Sequence, residues 1–238
     1  LYDTVVKEYH HTVLYEKSFD NIEDIEDMKN ITIIGAGAVG RSIALALFLK
    51  GARISAVYSL GGKSAKLLAK QCSAGGYGAL SETVPLSDIV IIAVPDGAIP
   101  DVVRMLEGAK RKFTGQVFLH TSGALTSDEL VPLKKRGASI GSFHPLQTFP
   151  KSRKRTEFVG NWFAVEGDAK AVRAAAGLAA MTGAKHFLVP KKDKTLYHIA
   201  AVFASNYQVT LFSVVEQLAE SIRMPKRDLW RIFRPLIT

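Results

Sequence analysis

The stretch NITIIGAGAVG, residues 30–40, decides how the rest of the chain is read. ITII (31–34) is an apolar run of strand length that breaks into Gly35-x-Gly37-x-x-Gly40, and helical spacing follows over 38–50. A strand, a glycine turn and a helix in that order form the phosphate-binding turn of a dinucleotide fold. The first glycine permits the tight turn. The second, with Ala38 and Val39 beside it, lets backbone amides approach a pyrophosphate. The third lets the helix pack on the strand, and the helix N-terminus faces the anion. Such glycines are a weak signal alone and a strong one at the first strand–helix junction of an alternating pattern.

The pattern does alternate. Strand-length apolar runs recur at 54–58, 88–94, 116–120, 138–143, 162–166 and 186–189. Helical spacing separates several of them, over 62–72, 97–108, 126–134 and 168–182. This predicts an α/β fold: a doubly wound, mostly parallel Rossmann-type sheet with helices on both faces. DIVIIAV (88–94) is apolar almost throughout, as a central strand buried on both sides must be. The regime changes after Pro190. From Lys191 to about Ile222 no turn signal interrupts a helix that is apolar on every face, so it is expected to be buried in a helical domain or against a second subunit. The expected organisation is an acidic extension (1–28), a Rossmann-type domain (29–190) and a helical domain (191–238).

Composition bounds the function. The formal net charge is +9, divided unevenly: residues 1–28 hold eight acids and two lysines, and the remainder 29 Lys/Arg and 14 acids. A body of +15 favours anionic ligands. The basic runs 110–112, 134–136 and 151–155 lie in predicted loops without interleaved aromatics and read as solvated surface, so nucleic acid is not an expected partner. No apolar run reaches the roughly 18 residues of a membrane span, and no membrane is expected. The single Cys72 excludes an internal disulfide or multi-cysteine metal site, reads as a buried thiol and fits a reducing cytoplasm.

The second strand bears on which dinucleotide binds. An NAD site usually carries an acid about 20 residues past the glycine turn. Here that region reads Tyr58-Ser59-Leu60-Gly61-Gly62-Lys63-Ser64. No carboxylate is present to repel a 2′-phosphate, and Ser59, Lys63 and Ser64 can donate to one, so NADP is the expected cofactor. Val94-Pro95-Asp96 ends the buried strand where a doubly wound sheet binds ligands. Val94 and Pro95 are expected to line the cofactor cleft, and Asp96 to cap the following helix. After His120, Thr121 and Ser122 carry two readings: contacts to a nicotinamide ribose or substrate carboxylate, or a polar turn into a helix capped at Ser127 or Asp128.

ITIIGAGAVGRSIA, VPD, HTSGAL, GSFHPLQTF and YHIAAVFASNY occur in this order. With them the chain resembles the NADP-dependent oxidoreductases that join a Rossmann-like domain to an uncharacterised helical domain, within the 6-phosphogluconate-dehydrogenase-like superfamily. The resemblance runs from about residue 29 to the end. It implies the fold, an NADP site and a homodimer built on C-terminal helices, and it names no substrate. Members usually continue for some tens of residues beyond FRPLIT, so it also implies a longer helical domain than this one. The His-Pro pair is similar to one in prephenate dehydrogenases, where that histidine serves the substrate hydroxyl; this second likeness rests on two residues.

Two histidines are candidates for chemistry. His144 follows a strand-like run, and Pro145 restricts its backbone to extended geometry. It reads as an acid/base group at the carboxyl edge of the sheet, or as a structural imidazole. His198 sits early in the long helix. In an α-helix Ser205 returns to nearly its face, and Asn206 lies ~12 Å along the axis, so the three can flank a small substrate. A small carbonyl, imine or hydroxyl compound accepting or giving hydride is the expected substrate, and a non-catalytic NADP-binding sensor is the rival reading.

Overall fold

The computed structural model describes residues 30–77, 80, 87–109, 111–149 and 157–236. The acidic segment 1–28, Lys110 and the basic run 151–155 lie outside them. Strand β1 (Asn30–Ile34) leads into helix α1 (Ala38–Leu49), β2 (Arg53–Tyr58), α2 (Lys63–Gln71) and a short β3 (Gly75–Tyr77). β4 (Ile89–Ile92) and α3 (Ile99–Gly108) follow, then β5 (Val117–His120), the short α4 (Val131–Lys134), β6 (Ser139–Pro145) and β7 (Trp162–Gly167). Helix α5 (Ala169–Met181) and β8 (Lys185–Leu188) complete the sheet. Its order is β3-β2-β1-β4-β5-β6-β7-β8, parallel throughout except for the antiparallel pair β6–β7. β3 has no counterpart among the expected strands, because Gly-Gly-Tyr carries no apolar run.

Strand alternation divides the core into two layers. Ile31, Ile33, Ile89, Ile91, Val117 and Leu119 face one way and pack under Ile43 and Leu47 of α1, Leu68 of α2 and the alanines of α5. Ile34, Val90, Ile92, Phe118 and Ile140 face the other and pack under Ile99, Val102 and Leu106 of α3, with Leu130 and Leu133. The strand order reverses between β1 and β4, and such a crevice at the carboxyl edge is where a doubly wound sheet takes its ligand.

β6 runs further than the sequence suggests. His144 and Pro145 lie inside it, opposite Ala164 and Phe163 of β7. An aromatic stack helps hold the pairing beside the proline: the Phe143 and Phe163 rings lie 4.1 Å apart and nearly parallel, with Phe158 5.1 Å from Phe163. The expected helix over 126–134 is two pieces, a 3₁₀ turn Ser127–Leu130 and α4.

Two compact units divide after Thr195 rather than at Pro190. The first turn of the long helix belongs to the sheet unit, because Lys194 is buried there and donates to Ser142. The helix is continuous over Lys191–Ser221. It comprises a 3₁₀ start, α6 (Lys194–Val202), a π turn (Phe203–Tyr207) and α7 (Gln208–Ser221). α8 (Lys226–Phe233) packs on α7 through Phe212 and Trp230, ring centroids 5.2 Å apart. Among the described residues the expected burial of the long helix does not occur: Leu196 is 70% exposed, Val209 65% and Leu218 63%. By length and composition the helix is also apolar enough to cross a bilayer, at a mean hydropathy of 1.2.

Phe163→Ala should lower the unfolding free energy by about 3–5 kcal/mol, the usual cost of emptying a buried aromatic site. Val159→Ala, 69% exposed and nearby in sequence, should change it by less than about 0.5 kcal/mol. Urea unfolding of both variants measures the difference.

Candidate active site

At the end of β1 the three glycines do three different things. Gly35 has φ +102°, its N–H donates to the Tyr58 carbonyl at 2.8 Å, and a Cβ on it would lie 2.2 Å from the Ala93 oxygen. A Cβ on Gly40 would lie 1.9 Å from the Gly35 oxygen, so the start of α1 rests on bare backbone. A Cβ on Gly37 would meet nothing within 4 Å. Gly37 is also the N-cap of α1, with no side-chain cap and no acid in the first turn. The opening amides, those of Ala38 and Val39 among them, have no intrahelical acceptor and border open space, which is the setting a pyrophosphate fits.

At the end of β2, Ser59 Oγ lies 2.9 Å from Ser64 Oγ and accepts the Ala65 N–H at 3.1 Å, which fixes the start of α2. Lys63 and Ser64 are exposed there, and the first turn of α2 holds no acid. Val94 is half-buried and Pro95 exposed beyond β4. Asp96 opens a 3₁₀ turn without capping it. Its carboxylate instead accepts from Ser122 Oγ at 2.8 Å, tying the end of β4 to the end of β5. Ser122 is buried, and its hydroxyl also accepts the amides of Ala124 and Leu125 at 3.2 and 3.0 Å. Thr121 is half-buried, with its N–H on the Ile92 carbonyl at 3.1 Å. The cap of the following 3₁₀ turn is Thr126, one residue before the expected Ser127, since Thr126 Oγ1 accepts the Asp128 N–H.

One row of the sheet turns polar at its carboxyl edge. Ile34, Ile92, His120, Ser142 and Glu166 stand opposite one another in register from β1 to β7. Each polar member is buried and bonded. His120 Nε2 lies 3.0 Å from the Thr126 carbonyl, and Nδ1 accepts the Ser122 N–H at 3.2 Å, a pairing that suits the neutral tautomer with its proton on Nε2. Glu166 accepts from Ser127 N and Oγ at 2.8 and 2.6 Å. Ser142 Oγ accepts from Lys194. Burial pushes the Lys194 ammonium down to about 8, against the opposing pull of Glu166 and Asp96. Burial first, then the charge of Lys194, pushes His120 down to about 3, with the Thr126 carbonyl opposing and His144 adding to the fall.

His144, half-buried, stands two residues beyond Ser142 on the same face of β6. His198, Ser205 and Asn206 lie in the helical unit, the first two half-buried and Asn206 exposed. Ser205 and Asn206 fall within the π turn, whose wider winding changes the α-helical spacing that would put Ser205 on the face of His198. Sequence reasoning missed Lys194. Of the lysines at 191, 192 and 194 the first two are exposed, and nothing local marks the third as the one turned inward.

Comparison with known proteins bears on the fold and the cofactor. A family model described as a Rossmann-like domain matches residues 17–145, more than half of the chain, and one described as a domain of unknown function (DUF2520) matches 161–238. A search of curated proteins found no match. Among solved structures, a candidate NADP oxidoreductase from Bacteroides fragilis is 26% identical, over 90% of this chain and 78% of that one, with a TM-score of 0.72. A reductive aminase from Aspergillus terreus, in complex with NADPH and ethyl-5-oxohexanoate, is 18% identical over 88% and 72%, with a TM-score of 0.68. An imine reductase from a Pseudomonas species is 19% identical over 89% and 73%, also at 0.68. The last two likenesses speak to the fold.

His120 makes the fold acid-sensitive. Its ordinary value is 6.5, so between about 6.5 and 3 the unfolded chain binds a proton that the folded chain refuses, and stability falls as pH drops through that window. The full effect is of order a few kcal/mol. His120→Gln, which keeps an N–H for the Thr126 carbonyl and cannot titrate, should flatten the fall between pH 6.5 and 4. Urea midpoints across that range measure it; parallel curves for the two proteins would remove His120 from the account.

Proposed function

The chain belongs to the Rossmann-like domain family, and from that premise we propose that it is an NADP-dependent oxidoreductase acting on a small carbonyl, imine or hydroxyl compound. The observation that carries this reading is the glycine turn at the β1–β4 crossover, where Gly35 and Gly40 admit no side chain and Gly37 opens on unfilled space beside an uncapped helix. When bound, NADPH would supply hydride and its oxidised form would accept it. Gly35, Gly37, Ala38, Val39 and Gly40 would hold its pyrophosphate. Ser59, Lys63 and Ser64, with no acid among them, would meet the 2′-phosphate. Val94, Pro95, Thr121 and Ser122 follow β4 and β5 at the same edge; Ser122 would contribute by shaping its turn, since its hydroxyl is already engaged.

His144 is the proposed acid/base group. Its place in β6 fixes the imidazole more firmly than a loop would, and a neutral imidazole can give a proton from one nitrogen while accepting at the other. His198, Ser205 and Asn206 are proposed to orient the substrate from the helical unit. The neighbours named as a reductive aminase and an imine reductase make C=N compounds the first class to try. The exposed apolar residues of Lys191–Ser221 are proposed to be covered by a second copy of this chain, as a homodimer. The buried Cys72, its thiol pushed up to about 11 by burial, fits a reducing, cytoplasmic setting.

Fluorescence titration should show NADPH binding at least tenfold more tightly than NADH. Lys63→Ala should weaken NADPH the more, and Gly37→Ala should weaken both without lowering the melting temperature. On a panel of cyclic imines, ketones with amines, keto acids and hydroxy acids, His144→Asn should reduce turnover by roughly 10²–10⁴-fold at unchanged stability. Equal affinity for the two cofactors would overturn the NADP assignment. Tight NADPH binding without turnover on any class would favour the sensor reading.

Sedimentation at micromolar concentration should give a dimer. A well-folded monomer, or protein recovered only with lipid vesicles, would refute the homodimer.

A further inference from the structure

A buried lysine is ordinarily held against a carboxylate, because an ammonium removed from water without a partner is strongly disfavoured. Lys194 departs from that rule. It is 1% exposed, yet among the described residues no carboxylate oxygen lies within 4 Å of its Nζ. Its hydrogen bond goes to a neutral hydroxyl, Ser142 Oγ. The charged and titratable groups that act on it are Asp96 after β4, His120 on β5 and Glu166 on β7, with Lys191 4.0 Å beyond Glu166; His144 on β6 acts on His120. Asp96 is engaged by Ser122 and Glu166 by Ser127. Both nitrogens of His120 are engaged by backbone. Among these groups Ser142 is the one bonded to the ammonium.

We propose that Lys194 and Ser142 form the proton store of the candidate active site, passing a proton along β6 to His144. The proposal rests on the oxidoreductase reading. Ser142 and His144 are two residues apart on one strand, so their side chains leave the same face from Cα positions about 6.5–7 Å apart, and the relay places one water between them. In the reducing direction the substrate carbon gains hydride, and the carbonyl oxygen or imine nitrogen takes the N–H proton of the His144 imidazole. The second nitrogen of His144 takes a proton from Ser142 Oγ through that water. Ser142 Oγ takes one from Lys194 Nζ, which ends as a neutral amine and regains its proton from solvent after product leaves. The bonds formed are one C–H and one O–H or N–H on the substrate; those broken are the C–H bond of NADPH that gives the hydride, the C=O or C=N π bond and one Lys194 N–H, and the oxidising direction reverses each. An ordinary lysine holds its proton too tightly for this near neutrality; burial lowers Lys194 to about 8, where it can cycle.

The test is NMR titration of the full chain, saturated with NADPH and labelled at lysine and histidine. Lys194 should titrate near pH 8, and the His144 ring signals should move in the same step. Ser142→Ala should leave the fold intact and abolish that common step. Lys194 titrating above pH 10, or a common step that survives in Ser142→Ala, would overturn the relay. Lys194→Arg keeps a charge but cannot release a proton. With any substrate from the panel it should lower turnover by roughly 10²-fold and leave KM for NADPH unchanged, whereas a purely structural role predicts wild-type turnover wherever the variant folds. The two readings fail separately: a wild type that binds no NADPH removes the oxidoreductase, and NADPH binding without the linked titration removes the relay alone.

Discussion

A Cβ at position 40 would come 1.9 Å from the Gly35 oxygen, so α1 can reach the sheet only over bare backbone. That contact sets where the helix begins. With α1 seated there, its uncapped N-terminus lies at the carboxyl end of β1, beside the point where the strand order reverses. Gly35 meets the same limit from the other side, because a Cβ on it would collide with the Ala93 carbonyl just past β4. The crevice is therefore bounded by two backbone segments that cannot move apart without losing the strand pairing. A side chain at either position would displace the helix, and the anion-binding geometry would go with it.

A polar row sits at the other end of the same edge. Across one sheet row the residues change from Ile34 and Ile92 to His120, Ser142 and Glu166, while one level lower the face stays apolar with Val90, Phe118 and Ile140. Burying three polar side chains is tolerable because each is bonded: His120 to backbone on both sides, Glu166 to Ser127 twice, Ser142 to Lys194. The loop after β5 does much of this. It brings Ser122, Thr126 and Ser127 back over the row, each with an assigned partner. Such a row specifies one arrangement of its loop, because an alternative would leave a buried donor or acceptor unmet.

Legibility in the sequence followed locality. The glycine turn was readable because its determinants lie within a few residues, and the strands because alternation or a continuous apolar run is a local signal. The local apolar run ends at Phe143, so His144 reads as lying beyond its strand; β6 continues to Pro145 with Phe143 stacked on Phe163, a contact made across the β6–β7 pair. The Thr126 cap was missed in favour of its neighbours, which are equally good capping residues. The π turn at Phe203–Tyr207 has no glycine or proline to announce it, so α-helical spacing was assumed across Ser205 and Asn206. Lys194 was out of reach for a different reason: its burial depends on Ser142, 52 residues away.

That distance also explains why the junction between units falls after Thr195. A helix that opens with Lys191, Lys192 and Lys194 reads as a solvated start, and solvation would leave its first turn free of the sheet. Turning the third lysine inward reverses this, because an ammonium buried on Ser142 holds the first turn to β6. The same bond places the ammonium near Asp96 and near Glu166 and His120 of the polar row, against the strand that carries His144. One side chain thus serves two ends. It holds residues up to Thr195 to the sheet, and it puts a charge without a contacting carboxylate among the described residues at the edge where the cofactor turn lies. A leucine could do the first. An arginine could place the charge as well but would not release its proton, so it is the exchangeable proton, not the charge, that a relay through Lys194 requires.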